Sequence, residues 1–592
     1  MAKLNGTAKD WYERIHLGNT FKKTYGNSED WERYAQYYRG QFQGFTPSKG
    51  AQAKVLPLNA TYAFIRSFIS YLYYKNPQVS FSPKRGAVPY LYAKMLEQLV
   101  NSLHEDIKLK KCIGTSLLDC GLTSRGIMKV GFDSLYGGPG EGGSGEGDIL
   151  EYNPNVRPGM PWVTRVSPNN IIVPFGIKDL DEAEWIDHVV LRRLDDVKAD
   201  ERYSNTKHLT ATHETRLLGS NSRHKAMSEA KGDNPDEFVE IHEIRDRRRR
   251  QKFCLAFDNK EGSGGGTVIL EPIDDPLQED GRLPFADFTF NEDPEWYWGS
   301  SDAKMMEPQQ LELNETRTQA MFHRRIALLK IAYDTNLVSP EELDKLLSED
   351  VMAAIGVDGD PKDAFAFLES HIPPDLIPWV DLIMADMREM LGMPRQGMGG
   401  DTPTQDRMTA TKTAVLDQSM NTRLGDRRSA VAGAIKDIVE QEIHMIFNYW
   451  SEARVVKMVG FDAAIHWVEL KPDELKADYQ FSINVESMGP PNKMMQRREI
   501  IELLQIMAKM PNAGPAMDYL FRNLASEYTW ANITEMLPPA MSGGQPGQPG
   551  QPGQGGPESF QQFNQQQTEL AGDQSARQGA IQQSAQMMGG MP

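Results

Sequence analysis

The glycine pattern in this chain that could cradle a phosphate is Gly140-Glu141-Gly142-Gly143-Ser144-Gly145, a formal G-x-G-x-x-G. Such a loop holds a dinucleotide when a helix starts on it and points its first amides at the phosphates. Here Asp148-Ile149-Leu150-Glu151-Tyr152 follows and reads as strand, so residues 136–148 are better taken as a flexible hairpin loop. Arg247-Arg248-Arg249-Arg250 could bind phosphate. These arginines lie between alternating segments at 239–245 and 252–257, so the favoured reading is the solvated tip of a hairpin. Of the eleven histidines, no two have the i, i+4 spacing of helix-borne metal ligands; His323 and His444 read as packing or exposed residues. Asp195-Asp196 and Asp274-Asp275 read as turns rather than acid/base dyads. There is no Walker loop, no H-E-x-x-H and no G-x-S-x-G. The expectation is a protein that is not an enzyme and takes no metal or cofactor.

The 592 residues are too many for one core, so several domains are expected. Charged residues make up 25% and hydrophobic ones 40%, which fits a globular chain. A net charge of −18 argues against a surface that coats nucleic acid. It is compatible with nucleic acid passing through, because a passage that must not grip a polyanion is better acidic. Cys112, Cys120 and Cys254 form neither a disulfide framework nor a metal cluster, and the first two read as buried hydrophobes on a helix. No apolar run reaches the roughly 18 residues of a membrane span, and the first residues lack an apolar signal core. A reducing cytosol, or something assembled there, is the expected setting.

The elements that would have to carry a function form one excursion. A polar helical run at 308–330 leads out, a mixed segment at 331–371 follows, and a second helical run at 373–392 leads back to a Gly-rich loop. Pro308 fits the first position of the outgoing helix, which would be a rod of roughly 34 Å. Leu311, Leu313, Met321, Phe322 and Ile326 are scattered among Glu312, Asn314, Glu315, Thr316, Arg317, Thr318 and Gln319. A helix this polar all round is bathed in solvent or held by polar neighbours, and a ring of copies around a wet channel would supply both. Taken by itself, the segment is better read as an ordinary exposed surface helix. The returning run places Val380, Ile383, Met384, Met387 and Leu391 on one face, and Gly392 and Pro394 end it. Between the two runs, Ser339-Pro340-Glu341-Glu342 is a capping box opening a helix to Leu347, and Val357-Asp358-Gly359-Asp360 signals a tight turn.

Elsewhere the chain starts helical, with Trp11, Tyr12, Trp31, Tyr34, Tyr37 and Tyr38 among charges. Phe64, Phe68 and Leu72 form a helical stripe that Asn76-Pro77 stops, with a strand at Val79 and Phe81. Residues 88–122 read as helix; 127–132, 161–174 and 185–194 read as strands; 202–236 are polar and read as poorly ordered. The longest helix runs over 409–450, roughly 63 Å, with Gly425 and Gly433 as places for a bend. Strands at 461–467 and 479–485 and helices at 494–510 and 516–525 follow. From Ser542 the chain is Gly-Gln-Pro repeat and then Gln-rich, a polyproline-II linker with a disordered end.

The order of these segments resembles the portal, or head-to-tail connector, proteins of tailed bacteriophages. The similar residues run from about 59 to 525: Leu72-Tyr73-Tyr74-Lys75-Asn76-Pro77; Ser167-Pro168 with Ile171-Ile172; Trp185-Ile186-Asp187-His188; Phe288 to Phe290; Trp296-Tyr297-Trp298-Gly299-Ser300-Ser301-Asp302; Leu313-Asn314-Glu315-Thr316-Arg317-Thr318; and Met408-Thr409-Ala410-Thr411. Lys412 departs from the pattern, where many relatives carry Glu.

The resemblance implies a helix-rich α+β subunit with wing, stem, clip and crown, assembled as a ring, usually of twelve copies, at one capsid vertex of the virion. It would be made in the host cytoplasm and have no membrane partner. Residues 1–298 and 409–485 would be wing, 299–331 and 372–392 the stem helices, 332–371 the clip, 393–408 the tunnel loop, 486–541 the crown and 542–592 a tail. Double-stranded DNA would be packaged and ejected through the ring. Glu312, Glu315, Asp381, Asp386 and Glu389 would line the channel and repel DNA, while Arg395, Gln396, Met398 and Arg407 of the loop would meet it. Glu341, Glu342, Asp344 and Lys345 would form a docking surface for the terminase large subunit and later the head-to-tail adaptor or tail protein. Major capsid and scaffolding proteins would be further partners. The competing readings are a virion scaffold or adaptor protein, and a hydrolase without a recognisable motif.

Overall fold

The structure is a computed structural model. It describes residues 6–42, 57–84, 90–132, 160–200, 202–211, 213–214, 237–257, 266–278, 281–327, 331–347, 354–367, 376–392, 410–449, 454–459, 465–470, 479–489, 500–502 and 505. The chain divides into two compact units, Met1–Glu499 and Ile500–Pro592. In the second unit the described residues, 500–502 and 505, are helical. The expected helix at 516–525, the loop holding Gly140 to Gly145 and the tail from Ser542 lie outside the described residues.

The first unit opens with α1 (Ala8–Gly26), α2 (Trp31–Tyr38) and α3 (Ala60–Leu72). In α3, Phe64, Ile65, Phe68, Ile69 and Leu72 all point into the core, the i, i+4 pattern expected of its sequence. The helix read over 88–122 is two helices, α4 (Tyr90–Asp106) and α5 (Leu109–Thr123). Lys108 breaks them apart with a left-handed φ of 55°, which the apolar periodicity on either side does not reveal. Cys120 and Cys254 are buried, while Cys112 is only half-buried.

All pairings between the described strands are antiparallel, and with helices packed beside the sheets this is an α+β fold. Strands β2 (Arg125–Phe132), β3 (Pro161–Val166) and β10 (Phe285–Thr289) form one sheet in the order β10-β2-β3. The run read as a strand over 161–174 is β3, a 3₁₀ turn at Pro168–Asn170 and the two-residue β4 (Ile171–Ile172). A six-stranded sheet has the order β4-β5-β7-β8-β9, with β6 paired to β7; here β5 is Trp185–Arg193, β6 His213–Glu214, β7 Glu237–Asp246, β8 Gln251–Phe257 and β9 Gly266–Asp274. The β7–β8 hairpin is the one the alternation predicts. Asp195 and Asp196, read as a turn, lie instead in the first turn of α6 (Leu194–Ala199).

Every residue of β2 is buried, including two cations. Lys129 donates to both carboxylate oxygens of Glu243 on β7, at 3.1 and 2.9 Å. Arg245 donates to the same carboxylate at 3.0 Å and to Asp275 at 2.5 Å. Burial raises the Glu243 carboxyl, but Lys129 and Arg245 outweigh it and hold it well below the usual carboxylate range. This network ties the two sheets together; removing one partner from such a pair costs about 3–5 kcal/mol, because a buried charge is left alone.

After the excursion, α11 (Ala410–Tyr449) runs 40 residues, close to the expected span. Val431, Ile435, Ile438, Val439 and Ile446 are buried, and the helix packs on β10, β2 and β3. Two ribbons complete the unit. Strand β1 (Val79–Pro83) pairs with β15 (Tyr479–Ile483), about 400 positions further along the sequence, a contact of very high sequence separation. Strand β13 (Arg454–Val459) pairs with β14 (Ile465–Leu470). The reading at 461–467 missed β13 and began β14 too early; neither strand shows a strict alternation of apolar and polar residues.

Candidate functional site

The outgoing helix, α7, spans Asp302–Ala327 and so begins six residues before Pro308, which lies inside it. The start is set by Ser301, whose hydroxyl accepts from the Lys304 amide at 3.1 Å, the N-cap arrangement. Gly299 lies just ahead of that cap, and a Cβ there would stand 2.2 Å from the Asn291 carbonyl oxygen. Asp302, in the first turn, takes both Nη atoms of Arg427 from α11, at 2.8 and 3.1 Å. The Arg427 guanidinium also lies over the rings of Phe68 and Phe290, at 4.7 and 5.0 Å. Glu307 is held by Arg33 at 2.8 Å and by the Tyr37 hydroxyl at 3.2 Å.

The polar face of α7 is not bathed in solvent over its first half. Gln310, Asn314, Thr316 and Thr318 are buried. Gln310 Oε1 accepts from the Thr61 amide and hydroxyl, both at 3.0 Å, and its Nε2 donates to the Leu58 carbonyl at 2.8 Å. Asn314 Oδ1 accepts from the Leu58 amide at 3.1 Å. These side chains satisfy the free amides at the start of α3, which need a partner from somewhere. The polar pattern over the first half of α7 is therefore met by this chain's own α3 and does not call for a wet channel. Further along, Glu315 and Gln319 are exposed and bonded to each other at 3.2 Å.

The returning helix, α10 (Leu376–Met390), packs along α7. Ile383, Met387 and Leu391 are buried and Val380 and Met384 half-buried, the stripe expected from their spacing. Gly392 ends the helix with a φ of +68°, a conformation that suits glycine. Trp379 Nε1 donates to Glu312 Oε1 at 2.7 Å, linking the two helices on their outer side. The carboxylates proposed to line a channel, Glu312, Glu315, Asp381, Asp386 and Glu389, are all exposed on this pair. The same pair exposes large apolar side chains: Leu311 at 40%, Trp379 at 48%, Leu382 at 49% and Met390 at 41%. Nothing in the local pattern marked Trp379 or Leu382 out, since both fall off the buried stripe.

The segment between the helices closes on itself. Strand β11 (Ile331–Tyr333) pairs with β12 (Phe365–Phe367), so its entry and exit lie side by side. Helix α8 (Pro340–Leu347) starts and stops where expected. The capping box is half formed: Ser339 Oγ accepts from the Glu342 amide at 3.4 Å, but Glu342 turns away to accept from the Gly356 amide at 2.9 Å and Lys345 at 2.6 Å. Those two partners hold the Glu342 carboxyl below its usual range, Lys345 first. The Val357–Asp360 stretch closes no hairpin; Asp360 instead caps α9 (Pro361–Ala364), accepting from the Lys362 amide at 3.0 Å. Of the expected docking residues, Glu341, Asp344 and Lys345 are exposed and Glu342 is half-buried. Arg395, Gln396, Met398 and Arg407 lie outside the described residues.

Arg247, in the tetra-arginine tip, donates to the carbonyls of Gly281, at 2.8 Å, and Asp181. Arg247 thus anchors the tip to the body. Asp275, of the second acidic pair, is buried against Arg245.

A body that clamps the base of a polar helix, a second helix returning along it, and a self-closed module between them is the segment order of a portal subunit. Residues 150–576, more than half of the chain, match the family described as Phage SU10 portal protein. The chain belongs to that family. Portal proteins are generally not enzymes, and membership makes this a virion protein and part of a capsid-associated oligomer. No curated protein matches the chain. The match begins after α1–α5 and β2, yet those elements supply much of the core on which the portal segment rests. No helix among the described residues is long and apolar enough to cross a membrane.

Proposed function

We propose that copies of this chain form a closed ring, twelve in the family's usual arrangement, through which double-stranded DNA is packaged and later ejected. The observation that carries this is the α7–α10 pair. Its buried stripe is used up inside the subunit, while an acidic set and an apolar set both remain exposed on it. In the ring, Leu311, Trp379, Leu382 and Met390 would pack against neighbouring copies, since large apolar side chains left exposed favour such contacts. Glu312, Glu315, Asp381, Asp386 and Glu389 would face the bore, where like charge keeps phosphate from binding. Arg395, Gln396, Met398 and Arg407 would meet the DNA at the loop. In this reading 299–331 and 372–392 are stem and 332–371 is clip, with Glu341, Glu342, Asp344 and Lys345 docking the terminase large subunit and then the adaptor or tail protein. Residues 1–298 and 409–485 form the wing, beside the capsid and scaffolding proteins, and 486–541 the crown. A separate ATPase would supply the motor.

Native mass measurement and negative-stain images of the purified chain test the reading. Closed rings of many copies are expected; a chain that stays single in solution and in virions removes it.

A further inference from the structure

Helices α3 and α5 lie side by side and antiparallel. A Cβ at Gly121 would stand 3.4 Å from the Ile65 side chain at one end, and Lys110 Nζ lies 5.4 Å from the centre of the Tyr74 ring at the other. Their inner sides are committed to the core through Phe64, Ile65, Phe68, Leu109, Ile113 and Leu117. Their outer sides expose Tyr62, Arg66 and Ser70 on α3, Tyr74 and Lys75 just past it, and Lys108, Lys110, Lys111 and Thr115 from the N-cap of α5 onward. That side of α5 is open: among the described residues, a Cβ at Gly114 would meet nothing within 4 Å.

The charge of this face is opposite to that of the chain. The protein carries −18 overall, yet residues 59–75 and 107–118 hold no carboxylate and five cations, Arg66, Lys75, Lys108, Lys110 and Lys111. All five are exposed, and among the described residues none forms an ion pair. The next carboxylate along α5, Asp119, is already held by Arg165 at 2.5 and 2.6 Å. Glu105 and Asp106, at the end of α4, are exposed near Lys108, and they leave the face with a positive surplus. Tyr62 and Tyr74 stand among the cations, and a tyrosine hydroxyl donates to a phosphate oxygen as Arg and Lys do. The face lies ahead of residues 150–576, the part matched to the portal family.

We infer that the α3–α5 face binds the phosphate backbone of double-stranded DNA outside the channel. The inference rests on the ring reading, which makes DNA the polyanion that this chain meets. A surface that grips phosphate would stall DNA that has to slide, so it suits DNA at rest against the ring and not DNA in transit through an acidic bore. Contacts to phosphate carry no sequence information, so the binding is independent of sequence.

A relaxed, covalently closed DNA circle has no end to thread through a preformed ring. Co-sedimentation of the full chain with such a circle therefore reads binding outside the channel. Saturable binding is expected at about 50 mM salt, with affinity falling steadily as salt rises. Lys110→Gln combined with Lys111→Gln should weaken it by about tenfold and lower the salt slope by about 2, and Arg66→Gln should lower the slope by about 1. Lys198→Gln, on α6, should change neither. All four side chains are exposed, and circular dichroism confirms that the variants fold. No binding of the circle, or a double variant that matches the parent in affinity and salt slope, overturns the inference. Binding of polyglutamate but not of the circle also overturns it, and would assign the face to an acidic protein surface. Negative-stain images of the same sample score the ring separately. Circle binding by single chains supports the face and removes the ring; rings that ignore the circle keep the ring and overturn the face.

Discussion

A glutamine in the middle of a polar helix looks solvent-facing when only its sequence neighbours are known. Gln310 is fully buried because the start of α3 presents an amide and a hydroxyl at Thr61 and a carbonyl at Leu58, and one amide side chain answers all three. Truncating it leaves those groups enclosed without partners. Gln310→Ala should therefore lower stability by about 2–3 kcal/mol in urea unfolding. Gln319→Ala, on the exposed part of the same helix, should stay within about 0.5 kcal/mol. Equal effects at the two positions would show that the α7–α3 contact does not hold the base of the helix.

Among elements, the start of α7 decides how the excursion leaves the body. Ser301 caps it, Arg427 of α11 clamps Asp302, and Gly299 lets the chain pass against the Asn291 carbonyl. A methyl group at 299 would overlap main-chain oxygen, which cannot swing aside as a flexible side chain can. Gly299→Ala should cost more than about 2 kcal/mol and disturb the placement of α7. Gly114→Ala, inside α5 with open space at the Cβ position, should be neutral or stabilise by up to about 1 kcal/mol. Denaturant melts of the two variants separate a helix-propensity effect from a close-approach effect; similar shifts in both would reject the latter.

On the scale of the whole molecule, the module at the far end of the excursion behaves as an attachment. Tyr333 and Phe365 are register partners in β11 and β12, so residues 334–364 can be replaced by an Asn-Gly turn without moving the helices that carry them. The shortened chain should melt within about 4 °C of the full one. It should still form rings but lose binding to the packaging motor and to tail components, measured by co-sedimentation. Loss of ring formation instead would place the contacts between copies in the module rather than along α7 and α10.

Some of this was legible along the chain, because it depends on residues close in sequence. The apolar stripes of α3, α10 and α11, the β7–β8 hairpin and the bounds of α8 follow from local spacing, while the family was named through the resemblance of short segments in order to portal proteins. The partner of a polar side chain is another matter. Gln310 meets Leu58 and Thr61, Lys129 meets Glu243, and β1 meets β15 only once distant segments have packed. No periodicity encodes those pairings, since a buried hydrogen-bonded glutamine and an exposed one look alike until the fold sets which groups lose their water. Local spacing could therefore say where the helices lie, and only the tertiary structure could say which of their polar faces are spoken for within one subunit and which remain exposed.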